Sequence, residues 1–564
     1  MFFKEDAMSG TEDRGAARAD TIYFGGPIVS MDEALPSPEA VAVSGTRILA
    51  VGGLADMRAL AHAGTHYVNL AGRTLLPGFI DAHSHFVDAA MLTAAVDLNS
   101  HPLGSVHGIE DMVALLRQRA EETPPGQCIL GWGYDDTMVS ERRHPTREDL
   151  DRASTRHPIV LQHISGWVTT GNSLALERVG LADASAEPGE NVVLHRDGNH
   201  VPTGVMEAAT SPLLSLVPPP DEAGFMQALR AGSDMYLAAG CTTAQDGWLV
   251  GGERLRLLRA ALSRDALKLR LVIYPVGQEC GMDAFRATYP QVPSGQALDE
   301  ENMLIMGAAK LACDGSIQDY TGYLSRPYHR IPPDRPSDFC GYPSCDIATM
   351  TRRIGELHAA GWQVAVHGNG DAAIEAILDA FEAAQSAHPR PDARHIVIHS
   401  QMARSDQLER MARLAVIPSF FITHTYFWGD RHYEIFMGPE RACRMSPAGE
   451  ALRLGLPFTL HSDTYVTPIH PLLLVWAAVN RRSCGGRDLG SREQGVPVLE
   501  ALKGVTINAA RQGFEEGRKG SISPGKLADF VILAENPLDV PPLRIKDIAV
   551  VCTIVGNTVR YGQL

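Results

Sequence analysis

Eight short apolar runs separated by stretches of helical spacing constrain this chain more than any other feature. They are "LLPGFIDAH" from Leu75, "CTTAQDG" from Cys241, "LKLRLVIYP" from Leu267, "MLIMGAAKLACDG" from Met303, "WQVAVHGNGD" from Trp362, "RHIVIHSQM" from Arg394, "LAVIPSFF" from Leu414 and "LPFTLHSDT" from Leu456. Between them lie segments such as "IATMTRRIGELHAAG", where Ile354, Leu357 and His358 fall at helical spacing and Gly361 closes the run. Eight strand and helix repeats over roughly 400 residues imply an α/β chain, a (β/α)8 TIM barrel, with an insertion over about 90–235 after the first strand. The Pro-rich "SLVPPPDEAG" marks the return from that insertion. Short β-branched and aromatic runs between Gly, Asp and Ser occupy both flanks, as in "EAVAVSGTRILAVGG" and "IAVVCTIVGNTVRYG". We therefore expect a small β-sandwich domain formed by both termini, 21–76 plus 500–564, around a barrel at 77–499. Residues 1–20, polar and small, read as a disordered arm.

Composition removes several classes of function. The formal net charge is −16 and the pI about 5.7, whereas nucleic acid or an anionic membrane selects a basic face. No window reaches the roughly 18 apolar residues of a membrane span, and the first twenty residues lack the apolar centre of a signal peptide. The nine cysteines are scattered, with no Cys-x-x-Cys pair, which fits reduced thiols in a cytoplasmic protein. The expected partner is a small-molecule substrate, with no nucleic acid and no membrane, and the expected assembly is a homo-oligomer, a dimer.

Barrels of this kind do their chemistry where strands end at the C-terminal mouth. His83 and His85 close the first run, Lys310 lies in the fourth, His367 and His399 end the fifth and sixth, and Asp463 ends the eighth. One residue between His83 and His85 in extended chain puts both imidazoles on one side, where both can bind one ion. Each residue alone has an ordinary explanation. A single His-x-His arises by chance, Lys310 can reach the rim or pair with Asp314, His367 and His399 can be hydrogen-bonded core residues, and Asp463 can cap a helix. Recurrence at strand after strand favours a metal site of imidazoles and carboxylate-like oxygens, a donor set suited to zinc. Lysine ammonium would repel a cation. Carbon dioxide added to Lys310 as a carbamate would remove that charge and offer two oxygens to bridge two metals.

The segments "LPGFIDAHSH", "KLACDGS", "VAVHGNGDAAI", "RHIVIHSQM", "LHSDTYVTPIHPLL", "TINAA" and "GSISPGKLADFVIL" resemble the marks of the metal-dependent amidohydrolase superfamily, its family 3 branch in particular. They run in order over nearly the whole chain. The resemblance implies the same barrel and terminal sandwich, with His83, His85 and Asp463 on one divalent metal and His367 and His399 on a second. It further implies two Zn2+ per chain bridged by carboxylated Lys310, and no organic cofactor. The implied reaction is hydrolysis of a C–N bond in an amide or N-substituted formamide by a metal-held hydroxide, with Asp463 moving the proton. One departure stands out: Thr464 and Tyr465 occupy the place where Ala-Pro is common, so substrate contacts at that loop are expected to differ.

Other segments are open to two readings. "SFFITHTYFWGDRHY", Ser419 to Tyr433, either walls a pocket, with His424 contacting an amide or oxyanion as a third catalytic candidate beside Asp463 and Lys310, or packs as core. Trp132, Trp167 and Trp248 either close the pocket or pack inside. "GNGDAAI" lacks the third glycine and the distant acid of a dinucleotide loop, and Asp371 in it reads as a helix cap. Deamination and ester, lactone or carbamate hydrolysis remain alternatives on the same metal barrel, and a non-catalytic regulatory protein is a third.

Overall fold

A computed structural model of the chain describes residues 18–164, 166, 168–189, 192–207, 211–278, 281–290, 293–332 and 335–564. The expected N-terminal arm and Trp167 lie largely or wholly outside these residues, as does Cys280. The fold is an α/β fold of the TIM-barrel type. Eight parallel strand segments form its frame: β1 (Phe79–Ile80), β2 (Cys241–Leu249), β3 (Arg270–Pro275), β4 in two pieces (Leu304–Met306 and Ala309–Ala312), β5 (Val364–Gly368), β6 (Ile396–His399), β7 (Ile417–Phe420) and β8 (Thr459–Leu460). Ladders join β1 to the first piece of β4 in one sheet and the second piece to β8 in another. A parallel bridge from Val276 to Lys310 links the two. On the other side the Asp463 amide donates to the His83 carbonyl at 3.2 Å.

These strands are apolar on both faces because helices cover one face and side chains of the other strands fill the other, as buried parallel strands require. In β5 the sequence Val364, Ala365, Val366 is wholly buried, and so is Ile396, Val397, Ile398 in β6. The helices Ile347–Ala359 and Asp371–Ala387 flank β5 and bury Ile354, Leu357, Ile374, Ile377, Leu378 and Phe381 in one continuous core. Registers set the heights of the polar residues. Ala312 pairs with His367 and Gly368 pairs with His399, so strand ends converge at one mouth.

Two four-stranded sheets lie at the ends of the chain. One holds Ala19–Phe24, Ala40–Ser44, Arg47–Gly52 and Ala61–Asn69; the other holds Thr74–Pro77, Phe530–Leu533, Val550–Val555 and Thr558–Gly562. Tyr23, Val41, Val43, Phe530, Ile532 and Ile554 share one core between them. The segment after 500 does not enter these sheets directly. Val498–Gly504 and Ile507–Gln512 are helices, seated under β8 by Asn508 donating to the Phe458 carbonyl and Gln512 to that of Ala82. The inserted region carries a six-stranded sheet from Val96–Asp97 to Pro202–Glu207. The helix Glu222–Ala238 packs on the helix Phe86–Leu92 and leads into β2, so it belongs to the barrel although the sequence placed the boundary near 235. The eight cysteines among the described residues form no disulfide. No helix among them is long and apolar enough to cross a membrane.

Candidate metal centre

All seven residues singled out in the sequence meet at the C-terminal mouth of the strands. His83 and His85 follow β1, Lys310 lies on β4, His367 on β5, His399 at the end of β6, His424 begins the turn of helix after β7, and Asp463 follows β8. Three backbone positions here, His399, Ser400 and Asp463, have φ of 71°, 46° and 53°. Left-handed backbone is unfavourable for such residues and collects where a site demands it.

The first group is built around Asp463. Its Oδ1 lies 3.5 Å from His83 Nε2 and 3.6 Å from His85 Nε2, and this oxygen is buried without a hydrogen-bond partner among the described residues. Lys310 Nζ stands 3.1 Å from the same His83 nitrogen. The second group pairs His399 Nε2 with His367 Nδ1 at 3.1 Å. His83, His85 and Asp463 present ligand atoms within 4.8 Å of one another, and so do His399, His461 and Asp463.

Neighbours fix which ring nitrogen is free. Gln245 Oε1, 2.6 Å from His83 Nδ1, can only accept, so His83 carries its proton there and turns the Nε2 lone pair toward Asp463 and Lys310. At His367 Nε2 two neighbours meet, the Gly315 carbonyl at 3.3 Å, which accepts, and the Asn369 amide nitrogen at 3.0 Å, which donates, while Nδ1 faces His399. His399 Nδ1 meets His461 Nε2 at 3.1 Å, and His461 Nδ1 meets Ser419 Oγ at 2.9 Å. With His399 donating from Nδ1 along this chain its Nε2 is free for an ion, and in either direction the chain occupies both nitrogens of His461, which therefore orients His399 better than it ligates an ion. Sequence reasoning missed His461 and Gln245. The His461-x-Asp463 spacing repeats that of His83-x-His85 and was a readable signal, whereas Gln245 is an unremarkable strand residue.

Burial decides the charges. It holds His83, His399 and His461 well below the usual imidazole range and His85 and His367 at about 3, with the Lys310 charge adding to the effect in each. Neutral imidazoles are the form that ligates metal. Burial also pushes Lys310 down and Asp463 up, each opposed by the other's charge. Asp314, which the sequence offered as the partner of Lys310, instead accepts from the amides of Tyr323, Asn369 and Gly370.

A cavity of about 340 Å³ opens over these groups, lined by His367, His399, Asp463, Phe421, His424 and Trp428, and also by Asp135, Asp136, His163 and Arg431. The aromatic segment 419–433 thus serves both ends: Phe420, Phe421, Phe427 and Trp428 all belong to the core, and of them Phe421 and Trp428, with His424, also wall the cavity. Trp132 and Trp248 do not line it. Trp132 packs edge-on against Tyr465, 5.3 Å between ring centres, and Tyr465 packs on His85 at 5.9 Å. The residue at the departure after Asp463 therefore braces a candidate ligand against the inserted sheet. Asp371 begins the helix after β5, and its carboxylate accepts from the Ser325 amide at 2.9 Å.

The sequence matches the family described as "Amidohydrolase family" over residues 66–561. It is 27% identical over 562 residues to N-substituted formamide deformylase of Arthrobacter pascens, covering 96% of this chain and 98% of that protein. It is 28% identical over 557 residues to protein LONG AFTER FAR-RED 3 of Arabidopsis thaliana, covering 96% and 92%. Among solved structures, a metal-dependent hydrolase of Pyrococcus horikoshii superposes with a TM-score of 0.73 at 22% identity, covering 93% of this chain and 99% of that one. That likeness is one of fold.

Proposed function

The chain belongs to the amidohydrolase family, a family of metal-dependent hydrolases acting on C–N bonds, and from that premise we propose that it cleaves an amide or N-substituted formamide of a small molecule at the mouth of β1–β8. The observation that carries the reading is the convergence of neutral imidazole lone pairs on one buried carboxylate oxygen that has no partner of its own. Such an oxygen is costly to bury unless something cationic meets it.

The donor set fits two divalent ions of the zinc type. His83, His85 and Asp463 would hold one, and His367 and His399 the other. Lys310, whose amine burial shifts toward the neutral form, would serve as a further ligand once it had added carbon dioxide and lost a proton to become a carbamate. When bound, the metals lower the pKa of water and polarise a carbonyl. Asp463 takes the proton of the attacking water and returns it to the departing nitrogen, so that the acyl carbon gains a C–O bond as its C–N bond breaks and the amine leaves neutral. His424, at the cavity wall, contacts the carbonyl oxygen as charge builds on it. Phe421 and Trp428 offer an apolar bed to the substituent. The name of the Arthrobacter relative supports formamides as the first substrates to try.

The test is a panel of N-substituted formamides, amides, ureas, carbamates, esters and aminated heterocycles offered to metal-replete protein, with products identified. Release of a primary amine with formate or another acid is the expected result. Free ammonia from a heterocycle, or turnover of esters alone, would replace this reading with deamination or ester hydrolysis.

A further inference from the structure

Behind His424 in the cavity wall lie two further buried polar groups, His432 and Gln401, that the proposed chemistry does not use. His424, His432 and Gln401 are at most 1% exposed. His424 lines the cavity, and its Nδ1 is enclosed without a hydrogen-bond partner among the described residues. His432, within the π-helical turn His432–Phe436, sets its ring 6.0 Å from that of His424 at 80°. On its far side the Gln401 amide nitrogen lies 3.1 Å from His432 Nε2.

Donor and acceptor chemistry then determines the tautomer. With the Gln401 NH2 toward the ring and its Oε1 buried without a partner among the described residues, His432 Nε2 accepts, and a neutral imidazole with an accepting Nε2 carries its proton on Nδ1. His432 is neutral because burial holds it far below the ordinary imidazole range, at about 3. Its Nδ1 has no hydrogen-bond partner among the described residues. Two neighbouring rings therefore present one unmet donor and one nitrogen able to accept, in an interior where such groups are normally satisfied.

We propose that His432 and Gln401 are positioning residues for His424: the Nδ1 proton of His432 is donated toward Nδ1 of His424, through one ordered water, which fixes the His424 proton on Nε2 and makes His424 a hydrogen-bond donor to the carbonyl oxygen of the substrate. Its kinetic consequence rests on the hydrolase reading of the cavity. The tautomer does not.

Two experiments separate these. In full-length, metal-loaded protein labelled with 15N-histidine, long-range proton–nitrogen spectra assigned with His424→Gln and His432→Gln should show His424 protonated on Nε2 and His432 on Nδ1. The His424 pattern should lose this bias in His432→Phe. A His424 protonated on Nδ1 overturns the proposal whatever the activity. In kinetics on a hydrolysed substrate, His432→Phe should lower kcat by about 10- to 100-fold with little change in KM, the range seen when a group orienting a site residue is removed. His432→Gln, which keeps a donor, should recover most of the loss, and His432→Phe should have no further effect in a His424→Phe background. Equal losses in both backgrounds would mean that His432 only supports the fold, and would overturn the positioning role. Tautomers as proposed, with kcat unchanged by His424→Phe, would remove the substrate contact while leaving the tautomer assignment standing.

Discussion

His83 is held by a neighbour that admits no side chain. A Cβ on Gly247 would fall 2.2 Å from His83 Cε1 and 2.7 Å from Nδ1, so any larger residue must displace the ring that Gln245 orients. We expect Gly247→Ala to lower metal affinity by about 10- to 100-fold, as loss of a supporting contact to a ligand does, with the circular dichroism spectrum unchanged. Competition with a chelator measures this, and wild-type affinity in the variant would show that the ring has room to move. At this scale the sequence pointed to candidates where a polar residue ends an apolar run, as at His83, His367, His399 and Asp463, or interrupts one, as at Lys310. It was silent on Gln245, which meets His83 across 162 residues of chain and has the composition of any polar strand residue. His461 was legible by spacing and passed over, because its partner, the His399 ring, stands on another strand.

Strands and helices were legible to the extent that burial wrote them. β5 and β6 read as unbroken apolar runs because helices cover one face and the neighbouring strands' side chains the other, whereas β1 and β8 keep only two ladder residues each of the longer apolar runs that announced them. The helices Val498–Gly504 and Ile507–Gln512 were read into the terminal sheet because a six- or seven-residue helix carries too few turns to show a period. One contact ties these levels together. Arg270, at the start of β3, donates to both oxygens of Asp529 at 2.6 and 2.9 Å, just before the strand Phe530–Leu533, with both side chains almost fully buried. Removing one partner strands the other charge in the interior. Asp529→Ala should therefore cost about 3–5 kcal/mol, read as a large fall in the urea midpoint, and a midpoint within error of wild type would mean that water reaches Arg270 freely.

Over the whole molecule, the chain begins and ends in two sheets that share a core and holds between them a frame whose strand ends collect every residue of the candidate site. The inserted region, between β1 and β2, brings Asp135, Asp136 and His163 to the lining of the same cavity. The fold class was readable from the alternation of runs; the placement of that region over the mouth was not, since a region with its own sheet can sit anywhere its linkers reach. The proposed hydrolysis requires that His83, His85, Lys310, His367, His399 and Asp463 hold divalent metal. The most direct measurement removes metal with a chelator, returns zinc in steps, and follows bound metal by elemental analysis and amine release in the same samples. The prediction is loss of activity on stripping and recovery that saturates at about two ions per chain, the number a paired hydrolytic centre holds. Full turnover by protein shown to contain no metal would contradict it.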